Sequence, residues 1–237
     1  MIKGLSASLS GLNAFTKKVE TTSNNLANVQ TAGYKSRGVV QQSVQQGGAQ
    51  VASVTISQQA GGLMQTGNPL NLSILGQGFF RVALPNGGTG FTRSGNFTKN
   101  SQGQLADANG NTLQPAISVP GNATSVAIDK TGTVSALVGG NTTVLGQLEI
   151  STFNNPGGLQ SKGENLFMET SASGTALSGT PGSGGRGELL SGFLEASNVD
   201  IARESVSLMV SENGYKASIN AIKTQNEMLG SILDLKA

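Results

Sequence analysis

The chain contains no cysteine, no histidine and no tryptophan, and charged side chains make up only 12% of its 237 residues. Without cysteine there are no disulfides and no thiolate metal sites. Without histidine the commonest metal ligand and the usual general base are missing. No metal site and no cofactor are expected, and an enzyme is not expected. The formal net charge is +2, and the aromatic residues amount to eight phenylalanines and two tyrosines. Both are too few for a phosphate-tracking, base-stacking surface, so no nucleic-acid partner is expected. No run of 18 apolar residues occurs, so no membrane span is expected. The opening residues Met1-Ile2-Lys3-Gly4-Leu5 lack an apolar signal region and a small-residue cleavage site, so export without a cleaved signal peptide is the expectation.

What is plentiful is glycine, at 34 positions, together with neutral polar side chains. The chain divides into zones. From Met1 to about Val29, Ile2, Leu5, Leu9, Leu12, Val19 and Leu26 recur at steps of three and four, which predicts a helix with a heptad stripe. Gly4 and Gly11 each cost such a helix about 1 kcal/mol, so it needs a partner surface. It is expected to stop near Asn28, before Thr31-Ala32-Gly33. From about Asn198 to Leu235, Ile201, Leu208, Tyr215, Ile222 and Leu229 recur every seven residues and predict a second long helix. Ser197 or Asn198 is expected to cap it, and Asn213-Gly214 to interrupt it. Residues 1–40 carry five cations against one acid, and residues 195–237 carry four cations against six acids. Opposite signs favour pairing of the two ends.

Between Arg37 and Arg81 no residue is charged, and residues 37–68 read as an extended connector. The zone 69–195 then shows short strand-like runs, among them Phe79-Phe80-Arg81-Val82, Ser125-Val126-Ala127-Ile128 and Gln147-Leu148-Glu149-Ile150. Turn signals separate them at hairpin spacing: Asn86-Gly87, Gln102-Gly103, Asn109-Gly110, Thr131-Gly132 and Gly139-Gly140-Asn141. The expected fold class is therefore α+β, with an inner pair of coiled-coil-like terminal helices (1–36 and 196–237) and an antiparallel β domain inserted between them. Gly182-Ser183-Gly184-Gly185-Arg186-Gly187 has the spacing of a dinucleotide fingerprint. It follows Thr180-Pro181 instead of a strand and reads as a loop.

Thr22-Ser23-Asn24-Asn25-Leu26-Ala27-Asn28-Val29-Gln30-Thr31-Ala32-Gly33-Tyr34-Lys35 resembles the N-terminal signature of bacterial flagellar rod and hook axial proteins. The likeness continues in Gly76-Gln77-Gly78-Phe79-Phe80, Phe91-Thr92-Arg93-Ser94-Gly95-Asn96-Phe97, Gly163-Glu164-Asn165-Leu166-Phe167 and Leu194-Glu195-Ala196-Ser197-Asn198-Val199-Asp200. It implies a structural subunit of the basal-body rod that self-assembles into a helical tube, transmits torque and conducts exported subunits. The middle segment is most similar to distal-rod members. A short hook protein and a proximal rod protein are the alternatives within the family, and an adhesin-like binding module is the alternative outside it. The implied partners are further copies of the chain, other rod proteins, hook protein and the surrounding basal-body rings. The implied location is a basal body that spans the periplasm. Leu5, Leu9, Leu12, Val19, Leu26, Ile201, Leu208, Tyr215, Ile222 and Leu229 are the expected assembly interface. Asn24, Asn25, Leu26, Ala27, Asn28, Gly33 and Tyr34 are the family signature.

Overall fold

The computed structural model describes residues 2–45 and 47–234. The side chain of Ile2 and the helix end expected at Leu235 lie outside what is described. The chain forms two compact units, each assembled from separate stretches of sequence: residues 1–29, 36–57 and 199–237 in one, residues 30–35 and 58–198 in the other.

The first unit is helical. Helix α1 spans Ile2–Ala27. It ends where expected, the carbonyls of Asn24 and Asn25 accepting the Asn28 N–H at 3.2 and 3.1 Å. Helix α2 spans Ile201–Asp234. Its cap is neither Ser197 nor Asn198 but Asp200, whose carboxylate accepts the N–H groups of Ala202 and Arg203 at 2.9 and 3.2 Å. That carboxylate also sits at the positive end of the helix dipole.

Asn213-Gly214 does not break α2, which runs through it unbroken. The reason is packing: the Phe15 ring of α1 lies where a Gly214 side chain would have to be. The glycine admits a neighbour, and that contact offsets its helix penalty.

Residues 37–56, expected as extended connector, are extended but paired with each other. Strand β1, Arg37–Ser43, and strand β2, Ala49–Ile56, form an antiparallel hairpin with Arg37 opposite Ile56 and a bulge at Val40/Gln41. The hairpin packs along α1, where the Ala49 N–H donates to Ser10 Oγ at 3.3 Å.

The second unit is an antiparallel β structure. Its centre is the strand Phe79–Ala83, which pairs with Thr89–Thr92 on one side and with Thr112–Gln114 on the other. A three-stranded sheet, Ala123–Ile128, Thr133–Val138 and Asn141–Gln147, adjoins it in the chain. Fifteen apolar side chains form the core, among them Leu72, Phe80, Leu113, Val134, Ile150 and Leu189. Phe80 and Phe97 meet edge to face at 5.2 Å. Each expected turn falls between paired strands or sheet bridges. Gln147-Leu148-Glu149-Ile150, however, is not one strand. The chain leaves one sheet at Gln147 and enters another at Ile150, which pairs with Phe80 and Gly179. Period-two alternation does not mark such a change of sheet. No helix among the described residues is long and apolar enough to cross a membrane.

Candidate assembly surface

In the helical unit α1 and α2 run antiparallel, with Gly4 against Gln225, Gly11 against Ser218 and Phe15 against Gly214. Glycine and serine line this line of contact, so the two backbones approach closely. Leu5, Leu12, Val19, Leu26, Leu208 and Ile222 are half-buried, while Leu9, Ile201, Tyr215 and Leu229 are exposed. Sequence periodicity missed three strongly exposed apolar side chains. On α2, Val206, Met209 and Val210 are 61, 63 and 55% exposed, beside Ile201 at 55%. Together they make the first three turns of α2 apolar on its open side.

The signature residues do two separate jobs. Asn25, buried at the end of α1, binds β1 as a neighbouring strand would. Its Oδ1 accepts the Arg37 N–H at 2.9 Å, and its Nδ2 donates to the Arg37 carbonyl at 2.8 Å. The same Nδ2 donates to Glu204 Oε1 on α2 at 2.9 Å. One side chain thus ties together all three parts of the helical unit, a task that only a carboxamide, donor and acceptor at once, can perform. Asn28 Nδ2 donates to the Asn24 carbonyl at 2.9 Å and closes the helix end. Ala27 and Leu26 continue the last turn of α1.

Gly33, Tyr34 and Lys35 belong to the β unit. Gly33 has φ +70°, and Ser94 and Arg93 backbone atoms occupy the place where a side chain would lie. Its N–H donates to the Glu195 carbonyl at 2.7 Å. Tyr34 is buried. Lys35 Nζ reaches Glu195 Oε1 at 2.6 Å and the Gln59 carbonyl at 2.8 Å, and Arg93 Nε reaches Glu195 Oε2 at 2.9 Å.

All three charged side chains are buried, Glu195 to 2% exposure. The Arg93 guanidinium also donates to the carbonyls of Ile74, Gly76 and Gly78 and stands 6.0 Å from the centre of the Phe79 ring. Burial pushes the Glu195 carboxyl up, but the Arg93 charge and the bond and charge of Lys35 outweigh it and hold it below the ordinary range. Burial pushes the Lys35 ammonium down, and Glu195 restores it only in part.

This network absorbs the other motifs singled out above. Gly95 lets the chain lie against the Leu72 carbonyl. Glu164 and Asn165, both at positive φ, make the tip of the hairpin joining Gln160–Gly163 to Leu166–Met168, and Asn165 Nδ2 donates to the Ala32 carbonyl at 3.3 Å. No cluster of metal-ligating side chains occurs among the described residues. The arrangement suits holding and packing.

Three family profiles match along the chain. Residues 5–35 match one described as flagella basal body rod protein. Residues 73–136 match the flagellar hook protein FlgE/F/G D1 domain, and residues 190–235 the flagellar basal body rod FlgEFG protein C-terminal. The chain is 35% identical to the flagellar basal-body rod protein FlgG of Caulobacter vibrioides over the whole of both proteins. The FlgG of Bacillus subtilis is likewise 35% identical over the full length of each. The flagellar hook protein FlgE of Salmonella typhimurium is 34% identical over 78% of this chain, which covers 44% of that protein.

Proposed function

The chain belongs to the flagellar basal-body rod and hook protein family, a family of structural proteins, and on that premise we propose that it builds the distal part of the rod by polymerising with copies of itself. Full-length similarity to rod proteins supports the rod reading over the hook reading, since the hook relative is more than twice as long as the part it shares. The helical unit is the inner, polymerising part, and the β unit is the outer part. The assembly interface comprises Leu5, Leu9, Leu12, Val19, Leu26, Ile201, Leu208, Tyr215, Ile222 and Leu229, extended by Val206, Met209 and Val210. A repeating contact of this kind that does not close on itself generates a helical tube, through which exported subunits pass and along which torque is carried. Other rod proteins, hook protein and the basal-body rings are its neighbours. Its place is in the basal body, across the periplasm.

The observation that carries this reading is the row of exposed apolar side chains on α2. Four large apolar residues more than half open to water within three helical turns call for a covering partner. Electron microscopy of the purified chain tests it: tubes are expected from the wild type. Met209→Asp should abolish them without shifting the thermal melt of the β unit, because Met209 is an exposed side chain of the helical unit. Tubes from Met209→Asp as abundant as from the wild type would overturn the assignment of α2 to the assembly surface.

A further inference from the structure

One recess in the helical unit is unbalanced in charge. A cavity of about 240 Å³ lies among the second half of α1, the start of β1 and the first turns of α2. Three cations line it, Lys18, Arg37 and Arg203, with Thr21 and Ser207 beside them and a single carboxylate, Glu204. Glu204 is engaged, its Oε1 accepting from Asn25 at 2.9 Å. The side chains of Lys18 and Arg203 have no hydrogen-bond or ion-pair partner among the described residues. Cations gathered at one recess repel unless an anion joins them.

The same unit supplies a matching surplus. Of the acidic side chains described there, Glu20 pairs with Lys17 and Glu212 with Lys216, Asp200 caps α2, and Glu204 is held by Asn25. Glu227, exposed on the last third of α2, has no partner among the described residues. It cannot reach the recess of its own chain. Arg203 and Glu227 lie on one unbroken helix, about 36 Å apart at 1.5 Å per residue.

From this we infer that the recess, where Lys18 and Arg203 stand without a partner, receives the Glu227 carboxylate of a second copy of this chain. The apolar surface beside it, from Ile201 to Val210, supplies affinity but slides easily. A carboxylate seated between Lys18 and Arg203 fixes the axial position at which two copies stop, which is the use to which charge complementarity is best suited. This inference rests on the polymerisation proposed above and adds its register.

The test uses the full-length chain and reads the critical concentration for tube formation at low and high salt. Glu227→Lys should raise it about tenfold or more at low salt, and so should the pair Lys18→Glu with Arg203→Glu. All three side chains are at least partly open, so circular dichroism of each variant should match the wild type. Combining the three substitutions restores opposite charges and should return the critical concentration to within about threefold of wild type. Glu227→Lys assembling like wild type would overturn the inference. So would a combined variant no better than its parents, which would point to a different acidic group in the recess. A wild type that forms no tubes under any condition would instead overturn the assembly reading, and this contact with it.

Discussion

The β unit and the helical unit are held together by opposite means. In the β unit fifteen apolar side chains are buried around Phe80 and Leu113, and even its charges are enclosed and paired. In the helical unit Ala14 is the one apolar side chain fully buried among the described residues, while large apolar groups stand open along α2. Burying one large apolar side chain stabilises by about 1.5–3 kcal/mol. The β unit gains that many times over from its own chain, and the helical unit leaves most of it to be gained elsewhere. One chain can thus carry a part that is complete and a part that leaves apolar surface for a partner to cover.

The sharpest way to break this comparison is Glu195→Ala. It leaves the Lys35 and Arg93 cations buried without their carboxylate, and the β unit should lose about 3–5 kcal/mol, read as a lower urea midpoint. An unchanged midpoint would mean the network contributes nothing to that unit. A smaller effect, confined to the other unit, is expected from Asn25→Ala. Loss of its bonds to the Arg37 backbone and to Glu204 should cost about 1–3 kcal/mol. Amide exchange should quicken at the end of α1 and in β1 while the β-unit melt stays put.

Acid offers a third handle. The native Glu195 carboxyl titrates below its unfolded value, so between the two the native state binds fewer protons. Stability is therefore complete above the ordinary carboxylate range and falls as pH drops through the lowered native value. Urea midpoints measured against pH should show this fall in the wild type, and Glu195→Gln should lack that part of it. The smallest effect is expected from Lys223→Gln on the exposed side of α2, within about 0.5 kcal/mol and without loss of tubes.

Much of this was legible in the sequence wherever the signal is local. The end of α1 before Thr31-Ala32-Gly33 and the glycine turns from Asn86-Gly87 to Gly139-Gly140 depend on neighbouring residues only. The charged network was not legible, although Lys35, Arg93 and Glu195 each sit in a quoted motif. They are separated by 58 and 102 residues, and nothing in a one-dimensional pattern says that they meet. Gly214 was misread for a related reason: helix propensity prices a glycine by itself, whereas here Phe15 of α1 occupies the space it leaves. The stripe of sevens on α2 was visible, but Val206 and Met209, the most open apolar side chains of that helix, fall off that period.

One tie has a bearing on the order of folding. The Gly33 N–H binds the Glu195 carbonyl, and the Asn198 N–H binds the Tyr34 carbonyl, so the β unit clasps the chain just after α1 and just before α2. In an open chain, bringing Ala27 to Ile201 closes a loop of more than 170 residues. With the clasp formed, only about ten residues remain to be closed, and the entropic cost of bringing the two helices together falls by about 2.5 kcal/mol. The folded β unit thus raises the effective concentration of each helix for the other by nearly two orders of magnitude. Once the β unit is complete, both helices are presented together.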